Sequence, residues 1–343
     1  MEEISQIASA AKKTLLPCKS RTVYEEAYNA YKKWCVKRNV KKTVEDTILA
    51  YFTTDLASYK ASSLWSKNSM LRTTIHLNEG VDISKFPSVI PFLKRKGEGY
   101  TPKKSLILTD ENVDSFLLSA QDEHHLLNKV ILIFGVAGAC RRQELVFLQT
   151  TNVEDQEKHF LVKMGIIDTK TKKDRSFVIL PGKHNLLHII RKYIAIRPKV
   201  TSHNRFFINY QNGKCTVQPV GVHKVGGVPS VVAKFLNLTN ASSYTGHSFR
   251  RTSASLLANA GGSMTDIMRH GGWRSASVAE GYVEESEMTK VNVATKILGG
   301  AGPSSHHKEI EERHQMSGQL FIKNNVDCVI NINNYYSNKH SPK

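Results

Sequence analysis

Gly246-His247-Ser248-Phe249-Arg250, followed by Gly271-Gly272-Trp273 and then by Gly281-Tyr282, is the stretch on which the reading of this chain turns. A cationic pair, an indole donor and a phenol follow one another in order. Upstream, Arg141-Arg142-Gln143-Glu144-Leu145 and then Lys170 extend the series. The set Arg141, Glu144, Lys170, His247, Arg250, Trp273 and Tyr282 spans the second half of the chain, so that half is expected to fold as one domain around them.

The apolar spacing around this set predicts mostly helices. Thr109-Asp110-Glu111 starts one, Leu126 to Leu148 holds one or two strongly apolar helices interrupted near Gly135 and Gly138, and Leu186 to Ile196 has helical spacing. Another begins near His247, continues through Ser253 to Ala260 and stops at Gly261-Gly262. Phe160-Leu161-Val162 and Phe177-Val178-Ile179-Leu180 are β-prone runs around Asp168-Thr169-Lys170-Thr171-Lys172-Lys173-Asp174, which predicts a hairpin with Lys170 near its tip. The expected class is mainly α with one small β-sheet.

The first half reads as a separate helical domain. Residues 1–19 are expected to be a loose arm. Thr22 with Glu25 and Thr43 with Asp46 have the form of capping boxes, and a third helix is predicted from about Ser63 to a stop at Gly80. From about Phe86 to Leu108 the pattern is broken by Pro87, Pro91, Gly97, Gly99 and Pro102. The expected division is a helical domain at 20–96, a linker at 97–108, a second domain at 109–298 and a tail at 299–343 whose Asn-rich segment has no assigned role.

Length and composition agree with two domains: 343 residues exceed one ordinary core, with 40% hydrophobic and 23% charged residues. No apolar run approaches the length of a membrane span, and Met1-Glu2-Glu3-Ile4 lacks the basic start of a secretory signal, so an intracellular protein is expected. The five cysteines form no CxxC pair and are read as reduced thiols. The histidine pairs His124-His125 and His306-His307 are adjacent and point to different helix faces, and no metal or other cofactor is expected. Lys and Arg number 48 against 30 acidic residues, a net charge of +18 that predicts attraction to a polyanion. The basic residues cluster: Lys32-Lys33, Lys37-Arg38 and Lys41-Lys42, then Lys94-Arg95-Lys96 and Lys103-Lys104. These, with Lys172, Lys173 and Arg251, are the candidate contacts to DNA phosphates.

Transesterification of a phosphodiester needs a nucleophile, neutralisation of a developing pentacoordinate dianion and a proton for the leaving 5′ oxygen. Arg141 and Arg250 offer planar forks matched to phosphate oxygens, and His247 and the indole of Trp273 add donors. Tyr282 would attack through its phenol, with His247 as proton acceptor. Lys170 would protonate the leaving oxygen, although Lys172 and Lys173 stand on the same tip. Glu144, three residues after Arg141 and expected on the same helical face, would fix that guanidinium or His247. Taken singly, each residue also fits a plain structural role: a helix salt bridge for Arg141 and Glu144, a core aromatic for Trp273, packing for Tyr282, a cap for His247.

In this order the residues resemble the tyrosine recombinases, the phage-integrase and Cre class. The Arg-x-x-Glu-Leu box matches Arg141 to Leu145, the hairpin lysine matches Lys170 five residues before Arg175, and the His-x-x-Arg box matches His247 to Arg250. Trp273 stands nine residues before Tyr282, the separation that family keeps. The resemblance covers about residues 20–295. Phe249-Arg250-Arg251-Thr252-Ser253-Ala254, Arg269-His270-Gly271-Gly272-Trp273 and Val278-Ala279-Glu280-Gly281-Tyr282 are most similar to recombinases of eukaryotic Crypton-type mobile elements.

What the resemblance implies is a helical core-binding domain and a mixed α/β catalytic domain that together clamp double-stranded DNA. Tyr282 would form a 3′-phosphotyrosine and free a 5′ hydroxyl, without metal or ATP. A homo-tetramer on DNA is implied, with a monomer as the alternative for the free chain, and Glu284 to Leu298 docking on a neighbour. Arg251 is expected as a phosphate contact or surface residue and His270 as structural. A nuclear location follows from the Crypton-like wording with Lys94-Arg95-Lys96. Two other outcomes stay open: a DNA-binding protein that does not cut, and relaxation of supercoils in the manner of type IB topoisomerases.

Overall fold

The computed structural model describes residue 11 and residues 14–165, 174–283 and 287–298. Most of the proposed arm, Lys170, Lys172, Lys173, the residues from Glu284 to Ser286 and the tail at 299–343 lie outside the described residues. The chain divides into two compact units between Lys103 and Lys104.

The first unit holds helices α1 (Arg21–Lys37), α2 (Glu45–Thr54), α3 (Ala61–Glu79) and α4 (Val89–Lys96). Tyr31, Trp34, Ile48, Tyr51, Phe52, Leu64, Leu71 and Ile75 form its core, with the rings of Tyr31 and Tyr51 edge to face at 5.2 Å. Neither expected capping box forms. Thr22 lies inside α1, whose N-cap is Ser20. Thr43 is buried, accepts from Tyr31 and donates to Glu79 at 2.6 Å, while Thr47 bonds the backbone N–H of Val44 and caps α2. A half-buried carboxylate in reach outcompetes the local cap. Gly80 ends α3 with φ 70°, as the sequence suggests.

Helix α4 occupies the start of the stretch in which Pro87 and Pro91 break the sequence pattern, inside the helical domain expected at 20–96. Pro91 falls in its first turn, where backbone N–H groups have no helical partner to lose, and Val89 and Leu93 bury the same face.

The second unit contains α5 (Asp110–Ser119), α6 (Asp122–Ala137) and α7 (Arg142–Phe147), then strands β1 (Val153–Asp155), β2 (Phe160–Met164) and β3 (Arg175–Ile179). Thr109 caps α5. The three strands form one antiparallel sheet in which Phe160 faces Ile179 and Met164 faces Arg175. After α8 (Leu186–Ala195) comes a second sheet, β4 (Ile208–Gln211) with β5 (Lys214–Pro219). The class is mainly α with a small β component, as expected, and that component forms two sheets where one was expected. The missed signal is Asn212-Gly213, both at positive φ, which is turn chemistry for a tight hairpin.

Helices α9 (Val222–Phe235), α10 (Ser248–Asn259), α11 (Met264–Gly271), α12 (Ala276–Glu280) and α13 (Glu287–Leu298) complete the described residues. Helix α6 is buried almost all round, from Leu126 to Phe134, and α8, α9 and α10 pack against it. An apolar helix without a polar stripe belongs at such a centre. Among the described residues no helix is long and apolar enough to cross a membrane.

Candidate active site

A close crossing of α6 with α10 and a tight approach of β3 to the end of α6 build the site. A side chain on Gly135 would come within 2.6 Å of the ring of Phe249, so glycine lets α10 lie directly on α6. Phe249 precedes Arg250, and the crossing carries that arginine to the end of α6. There Gly138 leaves room for Phe177, and Ala139 turns back with φ 45°, an uncommon conformation for a residue with a β-carbon. The reversal aims the Ala139 carbonyl at Arg250, whose Nη1 donates to it at 2.8 Å. Arg141 follows at once as the N-cap of α7.

Arg141 and Glu144 are thus not on one helical face, as the sequence suggests. Arg141 is extended, with φ −79° and ψ 149°, and Glu144 at the third helical position reaches back to it. The Glu144 carboxylate accepts the backbone N–H of Arg141 at 2.9 Å, Arg141 Nη1 at 2.5 Å and Arg175 Nη2 at 2.8 Å. Burial to 1% exposure alone would raise its pKa, but Arg175 and then Arg141 overcome that and hold it below the ordinary carboxylate range. A buried anion between two guanidinium groups is a positioning device.

Arg175, named in the sequence only to mark the position of Lys170, holds the site together. Besides Glu144 it donates to the carbonyls of Gly138 at 2.5 Å and His270 at 3.1 Å, and to the thiol of Cys140 at 3.6 Å. One side chain on β3 so ties the Arg141 turn to the end of α11. Burial pushes the Cys140 thiol up to about 12, so it stays protonated. Burial, then Arg175 and Arg250, lower the pKa of His270, leaving a neutral ring within 2.9 Å of Ser253 Oγ. This fits the structural role expected for it.

The nucleophile candidate is brought in by α11 and α12. Ser263 and Asp266 form a reciprocal cap at the start of α11, and Gly272 ends it with φ 65°. A β-carbon on Gly271 would overlap the indole of Trp273 at 1.8 Å, which explains the glycine pair in the sequence. Arg250 is fully buried, donates also to the Gly271 carbonyl, and lies 4.2 Å from the centre of the Trp273 ring and 5.6 Å from that of Tyr282. The Trp273 and Tyr282 rings are 5.0 Å apart at 45°. Burial first, and Arg141 second, pull the Arg250 pKa down to about 10, still cationic at neutral pH.

These side chains line one cleft of about 730 Å³: Arg141, His247, Arg250, Trp273 and Tyr282 meet there, with Arg142 and Arg274 on its rim. Exposed Arg142 fits between Gly226 and Gly246, either of which would press a β-carbon to within 3.3 Å of it. Trp273, 7% exposed, keeps its indole N–H without a hydrogen-bond partner among the described residues, a buried donor of the kind that awaits an acceptor. Of the seven residues singled out, five converge in the cleft, Glu144 lies behind Arg141, and Lys170 is outside the described residues.

The placement of Arg251 is a correction. It is 4% exposed and its Nη1 donates to the carbonyl of Gly281 at 2.8 Å, so it is neither a surface residue nor a phosphate contact. Consecutive residues of a helix diverge by about 100°, and that sends Arg250 and Arg251 to different partners. In the first unit Lys33, Lys37, Arg38, Lys41, Lys42, Lys94, Arg95 and Lys96 are exposed, as are Lys103 and Lys104 at the division. Lys32 is partly engaged, donating to Glu79 at 3.1 Å.

The model of the phage integrase family matches residues 107–288, more than half of the chain, and the chain belongs to that family, the tyrosine recombinases. No curated protein matches it significantly. Among solved structures it is similar to the Tn1549 transposon integrase in complex with transposon right end DNA, at 14% identity over 85% of this chain and 98% of that one, with a TM-score of 0.58. The XerH site-specific recombinase bound to a palindromic difH substrate is 11% identical over 78% of this chain and 76% of that one, with a TM-score of 0.52. A lambda integrase dimer bound to a COC′ core site is 14% identical over 83% and 95%, with a TM-score of 0.50. At such identities the likeness is one of fold.

Proposed function

We propose that this protein is a site-specific DNA recombinase or integrase that cuts and rejoins duplex DNA through Tyr282. The observation that carries the reading is the convergence of two guanidinium groups, a histidine, an unpartnered indole N–H and a phenol in one cleft. Arg141 and Arg250 neutralise the non-bridging oxygens of the scissile phosphate, and Trp273 donates to the charge that builds there. The Tyr282 oxygen bonds to phosphorus while its proton passes to His247. The bond from phosphorus to the 5′ oxygen breaks, and Lys170 supplies the proton that leaves a 5′ hydroxyl. Another 5′ hydroxyl reverses each step, so the bond energy is kept and no ATP is consumed.

Exposed Lys33, Lys37, Arg38, Lys41, Lys42, Lys94, Arg95, Lys96, Lys103 and Lys104, with Lys172 and Lys173, are proposed phosphate contacts on double-stranded DNA. Assembly as a tetramer on DNA, a Crypton-type mobile-element origin and a nuclear location complete the proposal, the last supported by the exposed Lys94-Arg95-Lys96 cluster.

The test uses a duplex selected by binding from a random-sequence pool and nicked close to the cut so that religation is lost. Wild type is expected to accumulate a covalent adduct and Tyr282→Phe none. Binding without an adduct indicates a DNA-binding protein that does not cut; an adduct with plasmid relaxation but no strand exchange indicates topoisomerase-like action.

A further inference from the structure

We infer that Arg251 is a positioning residue that latches the nucleophile segment into the chain's own cleft. The inference rests on the assignment of Tyr282 as nucleophile. Arg250 and Arg251 are consecutive on α10 and grip the two ends of one segment: Arg250 takes the carbonyl of Gly271, and Arg251 takes that of Gly281, the residue before Tyr282. Between those carbonyls lie Trp273 and the whole of α12.

Gly281 is the C-cap of α12, where the helix dipole turns its negative end outward and a cation is favoured. Helix α12 has only five residues and cannot hold its own place. Its fully buried packing is confined to Ala254, Ile267, Trp273 and Ala279, with Leu257, Ala258, Met264, Met268, Tyr282 and Val283 partly buried around them. The backbone bonds of Tyr282 to Ala279 and of Val283 to Glu280 are local to the turn and do not tie it to α10. The Arg251 to Gly281 bond does so directly, beside the phenol. A buried cation on a peptide carbonyl is thereby assigned to keeping Tyr282 next to Arg250 within one chain.

The test uses full-length Arg251→Met, of similar volume without a donor, and Arg251→Lys, which keeps one donor and the charge. Single-turnover adduct formation is measured at saturating protein on the nicked selected duplex, together with DNA affinity against salt. Hydrogen exchange of the peptide covering residues 274–283 is followed in the free protein. Arg251→Met is expected to slow adduct formation about 10- to 100-fold and to lose protection by a similar factor in that peptide alone, as for loss of one charge-assisted hydrogen bond. DNA affinity and its salt slope stay unchanged, and Arg251→Lys recovers much of both losses.

If affinity falls and the salt slope drops by about one while the saturated rate and exchange are unaltered, Arg251 contacts phosphate and the inference is wrong. It is equally wrong if exchange rises throughout α10 and α11, or if the lysine variant behaves like the methionine one. Should wild type form no adduct at all, the proposed function fails, and the exchange data still decide whether Arg251 latches the segment.

Discussion

Replacing Glu144 with glutamine removes one negative charge from the least exposed part of the site and leaves the shape nearly intact. The carboxylate now serves three donors, the Arg141 backbone N–H, Arg141 Nη1 and Arg175 Nη2. Glutamine keeps one acceptor oxygen and turns an NH2 group toward a donor. Arg141 and Arg175 are then left beside Arg250 with no carboxylate between them, and Glu144 is one of the groups that hold the Arg250 charge in place. Breaking a buried pair from one side costs about 3–5 kcal/mol. For a unit of this size that is a fall in melting temperature of about 6–20 °C. Calorimetry of Glu144→Gln, Arg175→Met and the double variant should give a coupling energy of about 1–3 kcal/mol. The pH dependence has a definite sign. The folded pKa of Glu144 lies below its unfolded value, so its contribution is fully present above about pH 4.5 and is lost as the pH falls through the lower folded value. The gap between wild type and variant should therefore hold from neutral pH down to about 5 and close only in stronger acid. A variant within about 1 kcal/mol of wild type at neutral pH, or a gap independent of acid, would show that Glu144 does not hold the arginines in place.

Trp273→Phe keeps a ring over Arg250 but deletes the unpartnered N–H; stability should hold, DNA affinity should not change, and single-turnover cleavage should slow by about 10- to 100-fold. In Gly271→Ala the new methyl overlaps the Trp273 indole, so a loss of about 1–3 kcal/mol is expected by denaturant titration, with a change in Trp273 fluorescence. Substituting Lys94, Arg95 and Lys96 together by alanine should lower DNA affinity with a flatter salt dependence, the slope falling by about 0.9 for each phosphate that is no longer neutralised, while the cleavage rate at saturation stays that of wild type.

The candidate series was legible because phosphoryl chemistry restricts its residue types and because Arg141, His247, Arg250, Trp273 and Tyr282 keep their order along the chain. Helices α5, α6, α8 and α10 were legible from apolar period and from breakers such as Gly138 and Gly261. The capping boxes expected at Thr22 and Thr43 do not form: Thr22 lies inside α1, and Glu79, far along the chain, claims the Thr43 hydroxyl. Tertiary partners of that kind leave no local mark. The same blindness hid Arg175 and misassigned Arg251: an arginine on a basic chain reads as a phosphate contact until its carbonyl partner is seen. Helix α4 was missed because Pro91 was read as a breaker, although in a first turn proline costs no hydrogen bond. The second sheet had a signal in Asn212-Gly213, set among strands too short and mixed for alternation to show.

In the proposed reaction one phenol makes and breaks a bond to DNA phosphorus. Trapping wild type on the nicked selected duplex, digesting protein and DNA, and sequencing the cross-linked peptide by mass spectrometry tests it most directly. The expected product is a 3′-phosphate ester on Tyr282, absent from Tyr282→Phe. An adduct on any other residue, or one that survives that substitution, would contradict it.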